Sequence, residues 1–303
     1  PRSPLFPSTT LFRSFERERR EDPIHILHAL WGDDRQDYLR RDGVETSLEL
    51  TTANAHVGVT WRDQLESGLA TTSRWTLTGG GPELEGNRAP RYGRMREWGL
   101  TLGGTLPRTR MRLEGAAAAS DPTLGSDADY RRLRVVLGGD LSWGRHLGFV
   151  PQVSYGRLWG EAVPQAAFFL GGTHSLRTLD RNAVTGTGQL FARGELVLVD
   201  DLRRLLHLPL PAWLPLQASA FTASGAVWGH DASGLIPTPT RRDGPRGSEW
   251  RSELGAGLSW RPGVPRPDTY VRFEAAWPLG RDTRSVSYTL AWQRLQDLLP
   301  ARR

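Results

Sequence analysis

The residues that could do chemistry are few and scattered. Seven His residues occur along the chain, and His25 and His28 have a spacing that could direct two imidazoles at one metal ion, but no further His lies nearby. His174 stands beside Ser175, yet the sequence contains neither a G-x-S-x-G elbow nor an H-E-x-x-H pair. The glycine run 79–81 precedes no helix signal, which a phosphate loop needs. We therefore expect no catalytic residue, no metal and no cofactor, and we do not expect an enzyme.

The composition separates the classes of membrane and soluble protein. Hydrophobic residues make up 38% of the chain and the mean hydropathy is -0.45, so no window reaches the roughly 18 consecutive apolar residues of a spanning helix. Yet the chain holds 12 Trp and 34 Gly, and aromatic residues at strand ends form the girdles of outer-membrane barrels. All 39 basic residues are Arg, but they alternate with acidic residues, so nucleic acid is not an expected partner. The absence of Cys excludes disulfides and fits export through an oxidising compartment.

Alternation between apolar and polar positions predicts strands that place one face against lipid or a core. It is regular near the C-terminus, where Phe273 and Trp277 share a face opposite Arg272. Apolar faces that begin or end in Trp favour a transmembrane barrel over a soluble β-sandwich, which stays the alternative. About twelve strands are predicted, near residues 44–52, 55–62, 68–78, 98–105, 108–117, 132–143, 145–158, 189–199, 216–228, 249–260, 269–279 and 284–292.

The predicted connections alternate in length, as they do in outer-membrane barrels with short periplasmic turns and longer extracellular loops. The exception is 200–215, a longer periplasmic connection whose DLRRLLHL stretch could form a short helix. If the apolar faces meet lipid, the opposite faces line a lumen of mixed charge, which argues against an ion filter of one sign. The predicted lumen residues are Glu45, Glu49, Arg74, Arg112, Glu114, Arg132, Arg134, Asp140, Arg193, Glu195, Arg251, Glu253, Arg272 and Glu274.

The connection 168–182, reading FFLGGTHSLRTLDRN, carries the most specific motif. With it, residues 145–295 resemble the C-terminal barrel of the BamA/TamA outer-membrane assembly family, also called the bacterial surface antigen type. That family has a Gly-Gly pair and then a hydrophobic-Arg-Gly-aromatic motif at this place. The matching residues are Gly171, Gly172, Leu176 and Arg177, whereas Thr178 and Leu179 replace the family's Gly and aromatic residue.

The resemblance implies that this loop folds into the lumen and that Arg177 bonds there to acidic groups on the following strands. Glu195 matches the acidic partner, so we expect Arg177 near Glu195. The segment 221–228, FTASGAVW, is similar to the family's Phe-x-Asp-x-Gly-x-Val-Trp, with Phe221 and Gly225 in place and Ala223 where Asp is expected. Arg177 would then keep one acidic partner; alternatively it is a solvated loop residue. The closing strand is expected to present Val286, Tyr288, Leu290 and Trp292.

The resemblance also implies a function in the bacterial outer membrane, namely insertion of outer-membrane proteins or protein translocation. The implied partners are outer-membrane lipid, unfolded outer-membrane or secreted polypeptides, and periplasmic or lipoprotein partners. The alternative is a C-terminal barrel that anchors a larger protein, such as a patatin-like lipase. Periplasmic repeat domains upstream would favour the first function, and an upstream Gly-x-Ser-x-Gly module would favour the second.

The expected organisation has four parts. Residues 1–14 include LFPSTTLFRS, which resembles a translated sequencing adapter and is not expected to be native. Residues 15–43 form an N-terminal segment whose membership in the barrel stays open, 44–295 form the barrel, and 296–303 form a short tail. Because the family's barrel has about 16 strands by resemblance, we expect an N-terminally truncated barrel lacking roughly four strands.

Overall fold

Antiparallel β-strands make up most of the described chain, and helix is scarce. The computed structural model describes residues 10–13, 38–68, 91–107, 109–143, 146–172, 175–180, 182–211, 214–260, 269–280 and 286–294. The described strands are β1 (Thr10–Arg13), β2 (Tyr38–Thr51), β3 (Ala55–Gly68), β4 (Gly93–Thr105), β5 (Met111–Ser120), β6 (Tyr130–Gly139), β7 (Leu141–Trp143), β8 (Leu147–Gly160), β9 (Phe168–Leu170), β10 (Val184–Gly186), β11 (Gly188–Leu198), β12 (Leu216–Trp228), β13 (Trp250–Trp260), β14 (Thr269–Leu279) and β15 (Ser287–Arg294).

Most of the strands form one up-and-down sheet, which we call the wall, and each strand of the wall pairs with the next one in it. Their order is β1-β2-β3-β4-β5-β6-β8-β11-β12-β13-β14-β15, with β7 also on β8, and β9 and β10 make a separate hairpin. Within the described residues, β1 and β15 each pair on one side only, so the sheet is open between them. This is the antiparallel barrel class that the alternation predicts.

The two faces of the sheet differ as the sequence pattern requires. Leu254 on β13 is 49% exposed on the outer face, whereas its neighbour Glu253 is 0% exposed on the inner face. Successive side chains of a strand point to opposite faces, so the same alternation recurs along the wall. Three outward Trp rings lie near the ends of their strands that face the longer loops, Trp159, Trp250 and Trp277, and a fourth, Trp98, lies in the middle of β4.

Several boundaries differ from the predictions. The predicted strand 132–143 is two strands, because Gly138 and Gly139 have low strand propensity and β6 ends there, before Asp140. Strand β2 begins at Tyr38, inside the segment left open, and Thr10–Arg13 pairs with it. The predicted strand 68–78 lies almost wholly outside the described residues.

Helix is scarce. One short α-helix, α1 (Leu202–Leu205), lies in the β11–β12 connection, and its first turn is capped by the Asp201 carboxylate, which accepts from the Arg203 N–H. Short 3-10 turns occur at Pro122–Leu124, Pro164–Ala166 and Gly247–Glu249. No helix in the described ranges is long and apolar enough to cross a membrane.

Candidate functional site

The connection between β8 and β11, residues 161–187, folds back against the inner face of the sheet; we call it the plug. Strands β9 and β10 pair within it as an antiparallel hairpin. Its apolar side chains are buried against the wall. The start of the plug packs in one cluster with β4, β6 and β8, and the rest in a second cluster that comprises Leu170, Leu176, Leu179, Phe191, Ala223 and Val227. The plug is therefore packed into the lumen as a folded unit.

Glycines at two places permit this packing. Gly171 and Gly172 have φ of 121° and 95°, values that side chains with a Cβ rarely adopt. A Cβ on Gly171 would also collide with the carbonyl oxygen of Asp180 across the turn. On the wall, a Cβ on Gly225 would lie 2.8 Å from Leu170, so the absence of a side chain there lets β9 approach β12.

Arg177 fixes the tip of the plug to the far strands. Its Nε donates to Glu274 on β14, and its Nη1 lies 3.8 Å from Glu253 on β13. Its guanidinium carbon is 4.6 Å from the ring centroid of Phe221 on β12, as is that of Arg193. Burial, reinforced by the Arg193 charge and opposed by Glu274, lowers the pKa of Arg177 to about 10, so it stays protonated at neutral pH. Arg177 is a buried tether and not a solvated loop residue.

The tether belongs to a cluster of three Arg and three Glu, which we call the lumen cluster: Arg177, Arg193, Arg272, Glu195, Glu253 and Glu274. Arg272 bridges Glu195 at 2.5 Å and Glu274 at 2.7 Å. Arg193 lies 2.8 Å from Glu195 and 3.5 Å from Glu274. The charges balance, which is the condition under which ionised groups tolerate burial.

The carboxylates that hold Arg177 differ from the expected one. Among its described contacts Glu195 is absent, since Glu195 bonds to Arg193 and Arg272 instead. The expectation of a single acidic partner is wrong: Glu253 stands in register opposite Ala223, so the neighbouring strand supplies a carboxylate at the level where the Asp was expected. Glu195 therefore belongs to the same ionic cluster as Arg177, but Glu253 and Glu274 are the carboxylates that contact Arg177.

The two residues that depart from the family's motif have their own contacts. The N–H and hydroxyl of Thr178 both donate to Glu253, at 3.0 and 3.1 Å. Leu179 is buried in the apolar cluster. Thr178 and Leu179 thus supply hydrogen bonds and apolar packing at the tip of the plug.

The beginning of the plug contacts the other half of the wall. Gln165 accepts from the backbone N–H of Arg91 at 3.1 Å and donates to its carbonyl at 3.0 Å. The ring of Phe168 lies 4.7 Å below the guanidinium carbon of Arg132 on β6. Since the tip reaches β13 and β14, the plug links the β4–β6 part of the wall to the β12–β14 part.

A second ionic group lines the wall on β2 to β6, which the sequence did not single out as a unit. Arg62 contacts Glu45 at 3.1 Å and Glu97 at 2.5 Å, and the Tyr130 hydroxyl donates to Glu97 at 2.6 Å. Glu97 precedes the outward Trp98 in β4, and this alternation is the sequence signal that places Glu97 on the inner face. Within the described residues, no three metal-binding side chains lie close enough to hold an ion.

The predicted closing residues lie at the end of the wall. Tyr288 is exposed on the outer face and stacks with Phe273 at 6.1 Å between ring centroids. Val286 directly precedes β15 and is half-buried. The backbones of Leu290 and Trp292 pair with Phe273 and Val271, and their side chains lie outside the description.

Comparison with solved structures shows the class of barrel. The chain aligns with BamA from Haemophilus ducreyi, in a structure lacking POTRA domains 1-3, with a TM-score of 0.55 and 11% identity over 85% of this chain and 55% of that one. The fold is that of a BamA-like barrel. CdiB from Escherichia coli aligns with a TM-score of 0.52 and 15% identity, over 84% of this chain and 44% of that one.

The chain thus spans about half the length of these two proteins. No protein-family model matches the sequence, and no curated protein matches it either. Identities this low show the fold alone.

Proposed function

We propose that this chain is an outer-membrane barrel of the BamA/TamA type that takes part in inserting outer-membrane proteins or in moving polypeptides across the membrane. The observation that carries the proposal is the tethered plug inside a wall whose outer face is apolar. Exposed Leu, Val, Phe and Trp side chains cover that face on successive strands, and such a surface is stable in lipid and prone to aggregation in water. The likeness to BamA and CdiB barrels supports the same location.

The plug suits a passage that opens and closes. Its tip is held by ion pairs, hydrogen bonds and apolar packing, all of which can be remade after displacement. Within the described residues, the outer edge of β15 is unpaired, and such an edge can add an incoming strand by backbone hydrogen bonding. A displaceable plug and an available edge are the two parts that translocation and strand insertion need.

Reconstitution tests this function. Vesicles carrying the chain are mixed with an unfolded outer-membrane barrel, and folding is followed by the appearance of the protease-resistant product. Vesicles without protein and vesicles carrying an unrelated barrel of similar size are the controls. We expect faster folding than in both controls. Equal rates with a stably integrated chain would contradict insertion activity.

The alternative function is that of an anchoring barrel for a larger protein such as a patatin-like lipase. The observation that favours it is the neutral lumen cluster, because balanced, buried ion pairs also suit a permanently closed barrel. Stable integration, no acceleration of folding and no ion conductance in planar bilayers would together support anchoring.

A further inference from the structure

The β11–β12 connection exposes apolar side chains although its backbone is ordered. Leu205 and Leu206 are 53% and 56% exposed, and Leu208 is exposed beside them. The Asp201 carboxylate accepts from the N–H groups of Arg203 and Leu216, both at 3.1 Å. The exposure therefore belongs to a folded element.

The position of this element is the second observation. It lies at the end of the sheet opposite the plug, where other connections such as 52–54 and 106–110 are short. It follows the end of β11, whose outward Leu196 is exposed, and the exposed Val199 lies between β11 and α1. The leucines thus lie at the rim of the wall, where its apolar outer face ends.

Charge is the third observation. The Arg204 side chain is 81% exposed and next to the leucines, with Asp201 at 3.8 Å as its described acidic neighbour. Asp201 is also occupied by Arg203, whose Nε lies 3.2 Å from it. A highly exposed guanidinium beside exposed leucines is the pattern of segments that lie in the membrane interface, where apolar groups enter the acyl boundary and Arg meets phosphates.

We propose that residues 202–210 dip into the phospholipid leaflet at the short-turn end of the barrel, with the leucines among the acyl chains and Arg204 at the lipid phosphates. This rests on the proposed membrane location. Lipid fits better than a protein partner because the leucines lie at the rim where the apolar outer face ends, and lipid already covers that face in that proposal. The segment then acts as an interfacial anchor that fixes the depth of the wall in the bilayer.

The absence of Cys from the chain makes a direct test feasible. A nitroxide label is placed on Cys at one of three positions, Leu206→Cys, Leu254→Cys or Ala232→Cys, in vesicles of phosphatidylethanolamine and phosphatidylglycerol. Collision with oxygen reports lipid, and collision with a water-soluble nickel chelate reports water. Leu254 lies on the outer face of β13, and Ala232 is exposed in the loop at the opposite end.

We expect the Leu206 label to favour oxygen as the Leu254 label does, at a shallower depth, while the Ala232 label favours nickel. A Leu206 label as accessible to nickel as that at Ala232, beside a lipid-exposed Leu254 label, overturns the anchor and leaves the barrel in the membrane. Protection of the Leu206 label from both reagents indicates a protein contact and also overturns it. Nickel access at Leu254 as well overturns the membrane location and the anchor together.

A separate variant tests the proposed contact between Arg204 and the lipid phosphates. Raising the phosphatidylglycerol fraction should draw the Leu206 label deeper, and Arg204→Gln should abolish that dependence. The matched control is Arg241→Gln, an exposed Arg in the loop at the opposite end. A label depth that ignores the anionic fraction overturns the assignment of Arg204 to lipid phosphates.

Discussion

Replacing Arg177 with Ala should release the plug. The change removes a guanidinium that serves two buried carboxylates, but they lose unequal amounts. Glu274 keeps Arg272 at 2.7 Å and Arg193 at 3.5 Å. Glu253 keeps the two hydrogen bonds from Thr178 and loses its Arg177 contact. Breaking a buried pair costs about 3–5 kcal/mol, and because Glu274 stays compensated we expect about 3 kcal/mol.

That free energy corresponds to an increase of about two orders of magnitude in the population with the plug displaced. The assay uses Ala223→Cys as the reporter, since Ala223 is a buried wall residue covered by the plug. The rate of its modification by a water-soluble thiol reagent measures displacement. Arg112→Ala is the matched control, because Arg112 pairs with Glu114 at 2.9 Å where both are more than a third exposed and such pairs contribute little. A rate in Arg177→Ala within about twofold of the parent, ~0.4 kcal/mol, would refute the tether.

Two further changes test the wall and the loop. Gly255→Ala would drive a Cβ into the Phe221 ring and within 2.7 Å of a carbonyl oxygen, so thermal unfolding should show that stability falls by about 1–3 kcal/mol. Gly244→Ala, with open space around it, should leave the stability unchanged. Equal losses of stability in the two variants would contradict the packing. The pKa of Glu249 is lowered overall. Burial acts to raise this pKa, but the hydrogen bond that Arg242 donates at 2.8 Å and the one from the Arg246 backbone help to outweigh burial. The lowered pKa means that ionised Glu249 stabilises the loop 229–249 at neutral pH, and this stabilisation is lost as pH falls through that pKa. Protection of the loop from hydrogen exchange, measured relative to the intrinsic rate at each pH, should therefore fall below about pH 4 in the parent but not in Glu249→Gln. Protection that does not change with pH in the parent would refute the pairing.

The faces of the strands could be predicted because the information is local. A period of two assigns each residue of a strand to one face, and the exposed Leu254 beside the buried Glu253 follows from it. The turn at Gly171 and Gly172 is also local, since two adjacent glycines favour positive φ.

The partners of Arg177 could not be predicted in the same way. Glu274 is 97 positions away in the sequence, and three inward carboxylates compete for the same guanidinium. Which one wins depends on strand register, such as the pairing of Ala223 with Glu253, and on how far the plug reaches across the lumen.

The β12–β13 connection shows a second limit. Alternation along β8 assigns Arg157 to the outer face, like the exposed Val153 and Trp159, yet Arg157 is buried. The cause is the loop 229–249, whose Thr240 carbonyl accepts from Arg157 at 2.7 Å. Alternation assigns the face, but a loop that folds over that face is invisible to it.

The central claim is that the apolar face of this wall lies in lipid and the opposite face lines a water-accessible lumen. Strand β5 offers the most direct test, because residues 116–119 are four consecutive Ala whose faces alternate. Each is replaced in turn by Cys and given a nitroxide label in vesicles. We expect labels at Ala117 and Ala119 to collide with oxygen and those at Ala116 and Ala118 with a nickel chelate. Uniform nickel access at all four positions, or the opposite phase, would contradict it.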